Sequence, residues 1–301
     1  MARFLLRRFL AALLFVILVA LGALILGRLA PGDPAADLMG RSSQTSIQAT
    51  RAASGYGKPL PAQLAHWIGG LIRLDLGMSS RFGVPVKLLV WDKARNTAQL
   101  ASLAVLLAVL IGIPAGVLTA TRPRSASGLA IAAIAVALVS CPPVVGVLVL
   151  LWAGATTGLL SVAPGHATIP VLAIALPLAA TIERLQSRAM TDVLSAPQWP
   201  AAAARGLTRS RLLWAHALRH AVRPLIGVSG VLVAGLFSGS LAVETLTAWP
   251  GLGRLTFEAL VGRDLYLVAG CALAGAVLIA AANFLADAMR AYIDPRVRDA
   301  R

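Results

Sequence analysis

FLAALLFVILVALGALILG, residues 9–27, has no charged or hydrogen-bonding side chain in nineteen consecutive positions. A helix packed on a soluble core would show a polar face at its 3.6-residue period, and this run shows none. Crossing the roughly 30 Å hydrocarbon layer of a bilayer takes about 20 helical residues, so the run is long enough to span. Arg3, Arg7 and Arg8 precede it. That start also fits a secretory signal peptide, but the apolar run exceeds the usual 7–15 residues and no clear small-x-small site comes after it. The expectation is a retained span.

Five further runs of this kind occur: Ala98–Ala120, Gly128–Ala155 with Cys141-Pro142-Pro143 inside it, a segment starting near Ile169 with Pro170 and Pro177, Leu225–Val243, and Leu265–Ala286. The composition agrees, with 58% hydrophobic residues, only 13% charged and a mean hydropathy of +0.81. An all-α polytopic membrane protein of six transmembrane helices is therefore expected. With the N-terminus inside, the inner segments hold 16 of the 27 Lys and Arg residues, among them Arg122, Arg124, Arg184, Arg188, Arg205, Arg209, Arg211, Arg219, Arg223 and Arg290. Of the 11 outside, nine lie in the long stretch from Arg28 to Arg95, where the charge rule weakens, and the two later outer loops hold only Arg254 and Arg263. Excess Lys and Arg mark cytoplasmic loops, so both termini are expected in the cytoplasm. Prolines inside spans remove backbone donors where no water replaces them. They read either as broken helices along a path or as ordinary kinks.

The expected organisation is an N-terminal transmembrane helix (1–28), an extracytoplasmic region (29–97), a transmembrane core (98–290) with a long cytoplasmic loop (191–223), and a cytoplasmic tail (291–301). In the outer region "APGDPAADL" (30–38) stops the first helix at Pro31 and Pro34, with Asp33 able to cap a helix starting after it. "LPAQLAHWIGGLI" (60–72) and "VPVKLLVWDKA" (84–94) are short amphipathic pieces whose Trp67 and Trp91 fit the lipid headgroup level.

The net charge of +15 does not point to nucleic acid, because the arginines border apolar runs instead of forming a stripe interleaved with aromatics. Cys141 and Cys271 lie within apolar runs and read as packing residues; no CxxC pair supports a zinc site. No phosphate-loop motif occurs around Lys58, Lys87 or Lys93, so no ATPase site, catalytic residue or cofactor is expected in this chain. Acids inside the spans are few. Glu183 sits beside Arg184 near the inner end of the fourth span and reads as a snorkelling boundary, which counts against an ion-coupled secondary transporter. HExxH is absent and intramembrane aspartates are nearly missing, which counts against an intramembrane protease.

The inner segment "TDVLSAPQWPAAAARGLTRSRLLWAHALRHAVRP" (191–224) is unusually long. An alanine run ends at Gly206, and a second helical stretch comes after it. On that stretch His216, Arg219, His220 and Arg223 share one face, while Trp214, Leu218, Val222 and Leu225 form an apolar stripe. It can lie along the membrane surface. The small-sided, cationic piece before it suits a groove on a soluble partner, or the whole is only a peripheral anchor. His216 and His220 have the i, i+4 spacing of metal ligands, but no third ligand is near and no metal is expected.

Taken in order, "LLRRFLAALLFVILVALGALILGRLAPGDPA" (5–35), "LDLGMSSRFGVPV" (74–86), "IPAGVLTATRP" (113–123), "AAAARGLTRSRLLWAHALRHAVRPLI" (201–226), "VETLTAWPGLGRL" (243–255), "RDLYLVAG" (263–270) and "NFLADAMRAYIDPRVR" (283–298) cover nearly the whole chain. This series resembles the first membrane permease of the bacterial ABC importers for dipeptides, oligopeptides and nickel. The resemblance implies a type I ABC importer permease fold in the bacterial inner membrane. Its implied partners are a second permease subunit, two ATP-binding subunits, an extracytoplasmic solute-binding protein and membrane lipid. Peptides are the leading substrate, with nickel and other small solutes open. The inner loop would be the EAA-type coupling loop that enters a cleft of the ATP-binding subunit, with Ala201, Ala202, Arg205, Gly206, Leu207 and His216 as its residues. Pro200 stands where the general motif has a glutamate, and the outer loop after Leu159 is short, two departures from the family pattern.

The same resemblance places Val243–Leu255 on the outside, as the hairpin that meets the solute-delivering protein or closes an outer gate, with Glu244, Trp249, Pro250, Gly251, Gly253 and Arg254 as its residues. The residue chemistry suits a fixed corner: Pro250-Gly251 turns the chain, Gly253 allows close backbone approach, Trp249 suits an interface, and Glu244 and Arg254 are candidates to pair. A rigid turn with structural charges would read the same way.

Overall fold

The computed structural model describes residues 2–29, 67–71, 73, 75–197, 199 and 206–293. Helices carry nearly all of its regular structure, as apolar runs without water to pair the backbone require. In chain order they are α1 (Ala2–Leu29), α2 (Val86–Thr121), α3 (Ala126–Ser140), α4 (Pro143–Thr157), α5 (Thr168–Leu194), the irregular α6, α7 (Arg223–Leu246), α8 (Leu252–Val261) and α9 (Leu265–Ile293). The α6 segment has an α turn at Arg209–Arg211, a π segment at Leu212–Ala217 and a last turn at Leu218–Ala221. Among the described residues the one β feature is the isolated bridge between Met78 and Pro85.

Among the described residues five helices are long and apolar enough to cross a membrane, or six if the bent pair α3–α4 makes one span. That pair bends by 112° at Cys141-Pro142, which is a break and not an ordinary kink. Its backbone is largely satisfied: Cys141 N–H closes α3 on Ala137, and the Pro142 carbonyl accepts from Val145 and Gly146. Pro143 starts α4, where a missing N–H costs nothing. Pro177 and Pro114 are absorbed inside continuous helices. Pro170 falls in the first turn of α5, not in its interior.

The second span begins earlier than expected. "VPVKLLVWDKA" is no separate surface piece but the start of α2, a helix of 36 residues. Nothing between Ala94 and Ala98 breaks it, since Arg95, Asn96 and Thr97 carry neither Pro nor Gly. At about 1.5 Å per residue α2 exceeds the hydrocarbon thickness by several turns.

The contacts divide the chain into two units: Met1–Arg8 with Gln99–Trp249 and Ala282–Arg301, and Phe9–Ala98 with Pro250–Ala281. In the first, α5 is the hub. Ala173, Ile174, Ala175, Leu178, Ala179 and Ile182 pack with Leu100, Ala104 and Ala108 of α2, Val147 of α4, and Leu225, Leu236 and Val243 of α7. In the second, Ala20 and Leu24 of α1 pack with Leu76, Val86, Val90, the α8 stripe Leu252, Leu255 and Ala259, and Leu267, Ala269 and Cys271 of α9. Trp67 belongs to that core at 3% exposure, so it is not a headgroup anchor, whereas Trp91 is 74% exposed. The "APGDPAADL" turn, with Pro31, Asp33 and Pro34, lies outside the described residues.

Candidate functional site

Gly206 ends the alanine run in the left-handed region, φ +85, and a Cβ built there would meet nothing within 4 Å. Among the described residues the glycine is thus required by backbone conformation and not by a close neighbour. Ala201, Ala202 and Arg205 lie outside the described residues, as does Pro200. Leu207 is half-buried, and Thr208 is extended and accepts the first helical N–H, from Leu212. His216, Arg219, His220 and Arg223 are all exposed, as their shared face requires.

The packed face of α6 is Leu212, Ala217 and Ala221, set against Val117 of α2, Met190 of α5 and Trp199. Of the predicted apolar stripe, Leu218 packs against that face and Leu225 is buried in the first core, while Trp214 remains 45% exposed. The π segment explains the difference, because its wider turn shifts the register by a residue and brings the small alanines inward. The Trp199 ring meets His220 edge-on at 5.9 Å between centroids. Residues 206–223 thus include a stretch seated firmly on the ends of α2 and α5, with a cationic outer side.

Next to that seat is a buried polar layer. Glu183, 4% exposed, accepts a 2.6 Å hydrogen bond from Thr119 Oγ1, while Gln186 is fully buried with both amide atoms unpartnered among the described residues. Glu183 is therefore not a snorkelling partner of Arg184. Neighbours on a helix point about 100° apart, and Arg184 faces out. Gly112 and Gly116 of α2 let the two backbones touch there. A Cβ on Gly112 would lie 2.6 Å from the Ala179 carbonyl, and one on Gly116 would lie 2.7 Å from Gln186 Cβ and 2.8 Å from the Glu183 carbonyl. The signal is present in the sequence as the Gly-x-x-x-Gly of "GIPAG" (112–116), the spacing that lets membrane helices approach closely.

The hairpin opens on a helix end of a kind that recurs after α8. After α7, Trp249 N–H bonds to the Glu244 carbonyl at 2.9 Å and Ala248 N–H to that of Thr245 at 3.4 Å, with Ala248 at φ +52. After α8, Asp264 N–H bonds to the Ala259 carbonyl at 2.9 Å and Arg263 N–H to that of Leu260 at 3.1 Å, with Arg263 at φ +49. Both are Schellman closures with a side chain where glycine is usual. Glu244 is fully buried, and Trp249 is half-buried against the α5 core with its indole N–H unpartnered among the described residues. Trp249 thus serves packing more than a water interface.

On the other side of the corner, Asn96 Nδ2 donates to the Pro250 carbonyl at 2.9 Å, and Thr97 Oγ1 accepts from Leu252 N–H at 2.7 Å. The polar residues of α2 thereby hold the start of α8. Gly251 is buried in an extended conformation at the N-cap, and Gly253 is inside the helix. Arg254 Nε pairs with Glu258 Oε1 at 2.9 Å, one turn along. Lys93, Pro250, Gly251, Arg254, Leu255 and Glu258 line a cavity of about 210 Å³. Asp264, 1% exposed, then ties two of the family-like motifs together. It accepts from Ser79 Oγ at 2.6 Å, from Arg81 N–H at 3.1 Å and from Leu267 N–H at 3.1 Å, so "LDLGMSSRFGVPV" is anchored on "RDLYLVAG". Spacing within either motif does not reveal that link, since its partners are 185 residues apart. Among the described residues no three His, Cys, Asp or Glu side chains gather as a metal-binding group.

Comparison with known proteins gives a consistent match. The family model of the binding-protein-dependent transport system inner membrane component covers residues 112–299, and that of the N-terminal part of such membrane components covers residues 1–81. The chain is 31% identical to the probable peptide ABC transporter permease protein y4tP of Sinorhizobium fredii, over 99% of this chain and 100% of that one. It is 29% identical to the oligopeptide transport system permease protein AppB of Bacillus subtilis, over 99% of each. It is 31% identical to the dipeptide transport system permease protein DppB of Escherichia coli K12, over 89% and 90%. In fold it is similar to a chain of the MetNI methionine ABC transporter, with a TM-score of 0.59 at 19% identity, covering 69% of this chain and 97% of that one.

Proposed function

This chain belongs to the family of binding-protein-dependent transport system inner membrane components, and from that premise we propose that it is the peptide-conducting permease subunit of an ATP-driven importer. The observation that carries the reading is the end-to-end similarity to peptide permeases of three organisms. The chain pairs with a second permease, and two ATP-binding subunits supply hydrolysis that it has no phosphate loop to perform. An extracytoplasmic protein delivers the solute, and both termini are cytoplasmic.

The coupling element is the loop around Gly206. ATP binding draws it toward the paired ATPases. The seat of Leu212, Ala217 and Ala221 on Val117 and Met190 passes that displacement to α2 and α5. Because the seat is packed apolar surface, the loop and the two helix ends move together. A change of helix arrangement then exposes the path to one side at a time. The hairpin from Glu244 to Arg254 is the outer contact and gate. The Asn96, Thr97 and Asp264 hydrogen bonds support this role by fixing the start and end of α8.

The test is uptake by proteoliposomes holding the assembled transporter and its solute-delivering protein, with radiolabelled dipeptide, longer peptide and nickel in parallel. ATP-dependent peptide accumulation is expected. Accumulation of nickel without peptide would overturn the peptide assignment, and uptake driven by an ion gradient without ATP would overturn the coupling scheme.

A further inference from the structure

The cavity beside the Pro250-Gly251 corner holds a cation, Lys93, with no hydrogen-bond or ion-pair partner among the described residues. Its walls carry three charged groups: Lys93, Arg254 and Glu258. Arg254 and Glu258 are joined at 2.9 Å. Lys93, half-buried, has neither a hydrogen bond nor an ion pair among the described residues. The start of α8 adds to the positive field, because its first turn has no acidic residue and the helix dipole is positive there. The described residues between Trp67 and Arg95 and between Pro250 and Asp264 carry Arg73, Arg81, Lys87, Lys93, Arg95, Arg254 and Arg263 against Asp75, Asp92, Glu258 and the buried Asp264. The whole region is cationic.

We propose that this cavity is an anion-recognition site in which Lys93 receives a carboxylate side chain from the solute-delivering protein as it docks. The inference rests on the reading of the hairpin as the outer contact. The size fits: about 210 Å³ is room enough for one Asp or Glu side chain. The chemistry fits as well, since an ammonium at a partly closed cavity is paired by a carboxylate at hydrogen-bond distance. Charges of this kind govern encounter rate and register more than area does, so the partner would be steered by its acidic side and then held in one orientation. Leu255 supplies the apolar wall against which the methylene stem of the entering residue packs.

The experiment measures docking of the solute-delivering protein to the complete transporter in nanodiscs. Wild type, Lys93→Glu and Lys93→Arg are compared at several salt concentrations, with the amount of assembled complex as the folding control. Lys93→Glu is expected to weaken docking about tenfold, mostly through slower association, and to flatten its salt dependence. Lys93→Arg should keep most of the affinity. An acid-to-Lys scan of the delivering protein should contain one variant that docks better to Lys93→Glu than the unmodified protein does. Unchanged docking by an assembled Lys93→Glu complex overturns the site, as does a scan without a compensating variant. Two further arms identify other occupants, each contrary to the proposal. An effect seen only with free-acid and not C-amidated peptide assigns the carboxylate to the peptide, and one that vanishes in purely zwitterionic lipid assigns the site to a headgroup. If the wild-type transporter docks no delivering protein at all, the outer-contact reading itself fails, whatever Lys93 does.

Discussion

Ala248 and Arg263 each hold a left-handed backbone at φ near +50, a conformation that costs an L-residue roughly 1–2 kcal/mol and glycine little. Both sit at the C′ position of a Schellman closure, where glycine is commonest. Ala248→Gly is therefore expected to stabilise the purified protein by about 1 kcal/mol, net of the greater freedom glycine has when unfolded. A lower melting temperature for that variant would contradict the geometry. Gly206 is the converse case, with a left-handed backbone and no clash to relieve among the described residues. Asn and Asp tolerate that conformation nearly alike and differ in charge. Gly206→Asn should therefore retain most uptake. Gly206→Asp should reach the membrane in near-normal amounts but lose substrate-stimulated ATP hydrolysis, because an unpaired carboxylate is stripped of water in a partner's cleft. Equal behaviour of the two variants would mean that the loop enters no partner and serves as an anchor.

Helix-scale packing separates two glycines that look alike in the sequence. Gly116 is pressed against Gln186 and the Glu183 carbonyl, whereas Gly235 of α7 has nothing within 4 Å of a would-be Cβ. Alanine is the better helix former by about 1 kcal/mol, so the two substitutions should differ in sign. Gly116→Ala is expected to destabilise by about 1–3 kcal/mol through overpacking of α2 on α5, and Gly235→Ala to leave stability unchanged or raise it. Thermal unfolding of the detergent-solubilised complexes decides this, and a neutral Gly116→Ala would deny the close approach. The long apolar runs were legible in the sequence because lipid imposes a simple rule on them. Helix ends were less so: α2 starts at Val86 and not near Ala98, since Asn96 and Thr97 serve distant backbone groups instead of ending the helix. The face buried by α6 and the start of α7 was legible at Leu218 and Leu225 but not at Trp214, which lies in a π segment that no 3.6-residue pattern anticipates. Trp67 and Trp249 read as interface residues yet pack inward, because an aromatic ring satisfies either environment and only tertiary contacts choose.

At the scale of the whole molecule, the side on which each terminus lies depends on one element, the broken pair α3–α4. Each arm has 15 residues, about 22 Å of helix, too short to cross about 30 Å alone. If the pair enters and leaves on the same face, the chain makes five crossings and its ends lie on opposite sides. If the pair counts as one crossing, there are six and the ends share a side. Charge discriminates between these. Arg122 and Arg124 lie just before α3, while the loop from Gly158 to Ala167 after α4 has no Lys or Arg. With the N-terminus inside, as Arg3, Arg7 and Arg8 lead one to expect, a re-entrant pair would keep that uncharged loop inside and then carry Arg184, Arg188, Arg209, Arg211, Arg219 and Arg223 outside, against the bias of short loops. One crossing is therefore expected, with the 112° bend at Cys141-Pro142 lying within the membrane. A reporter active only outside the cytoplasm should work when fused at Gly165 or Gly262, and fail at Ser125, Thr208 or after Ile293. Activity at Thr208 without activity at Gly165 would make the pair re-entrant. It would place the loop around Gly206 on the side where no ATPase could reach it.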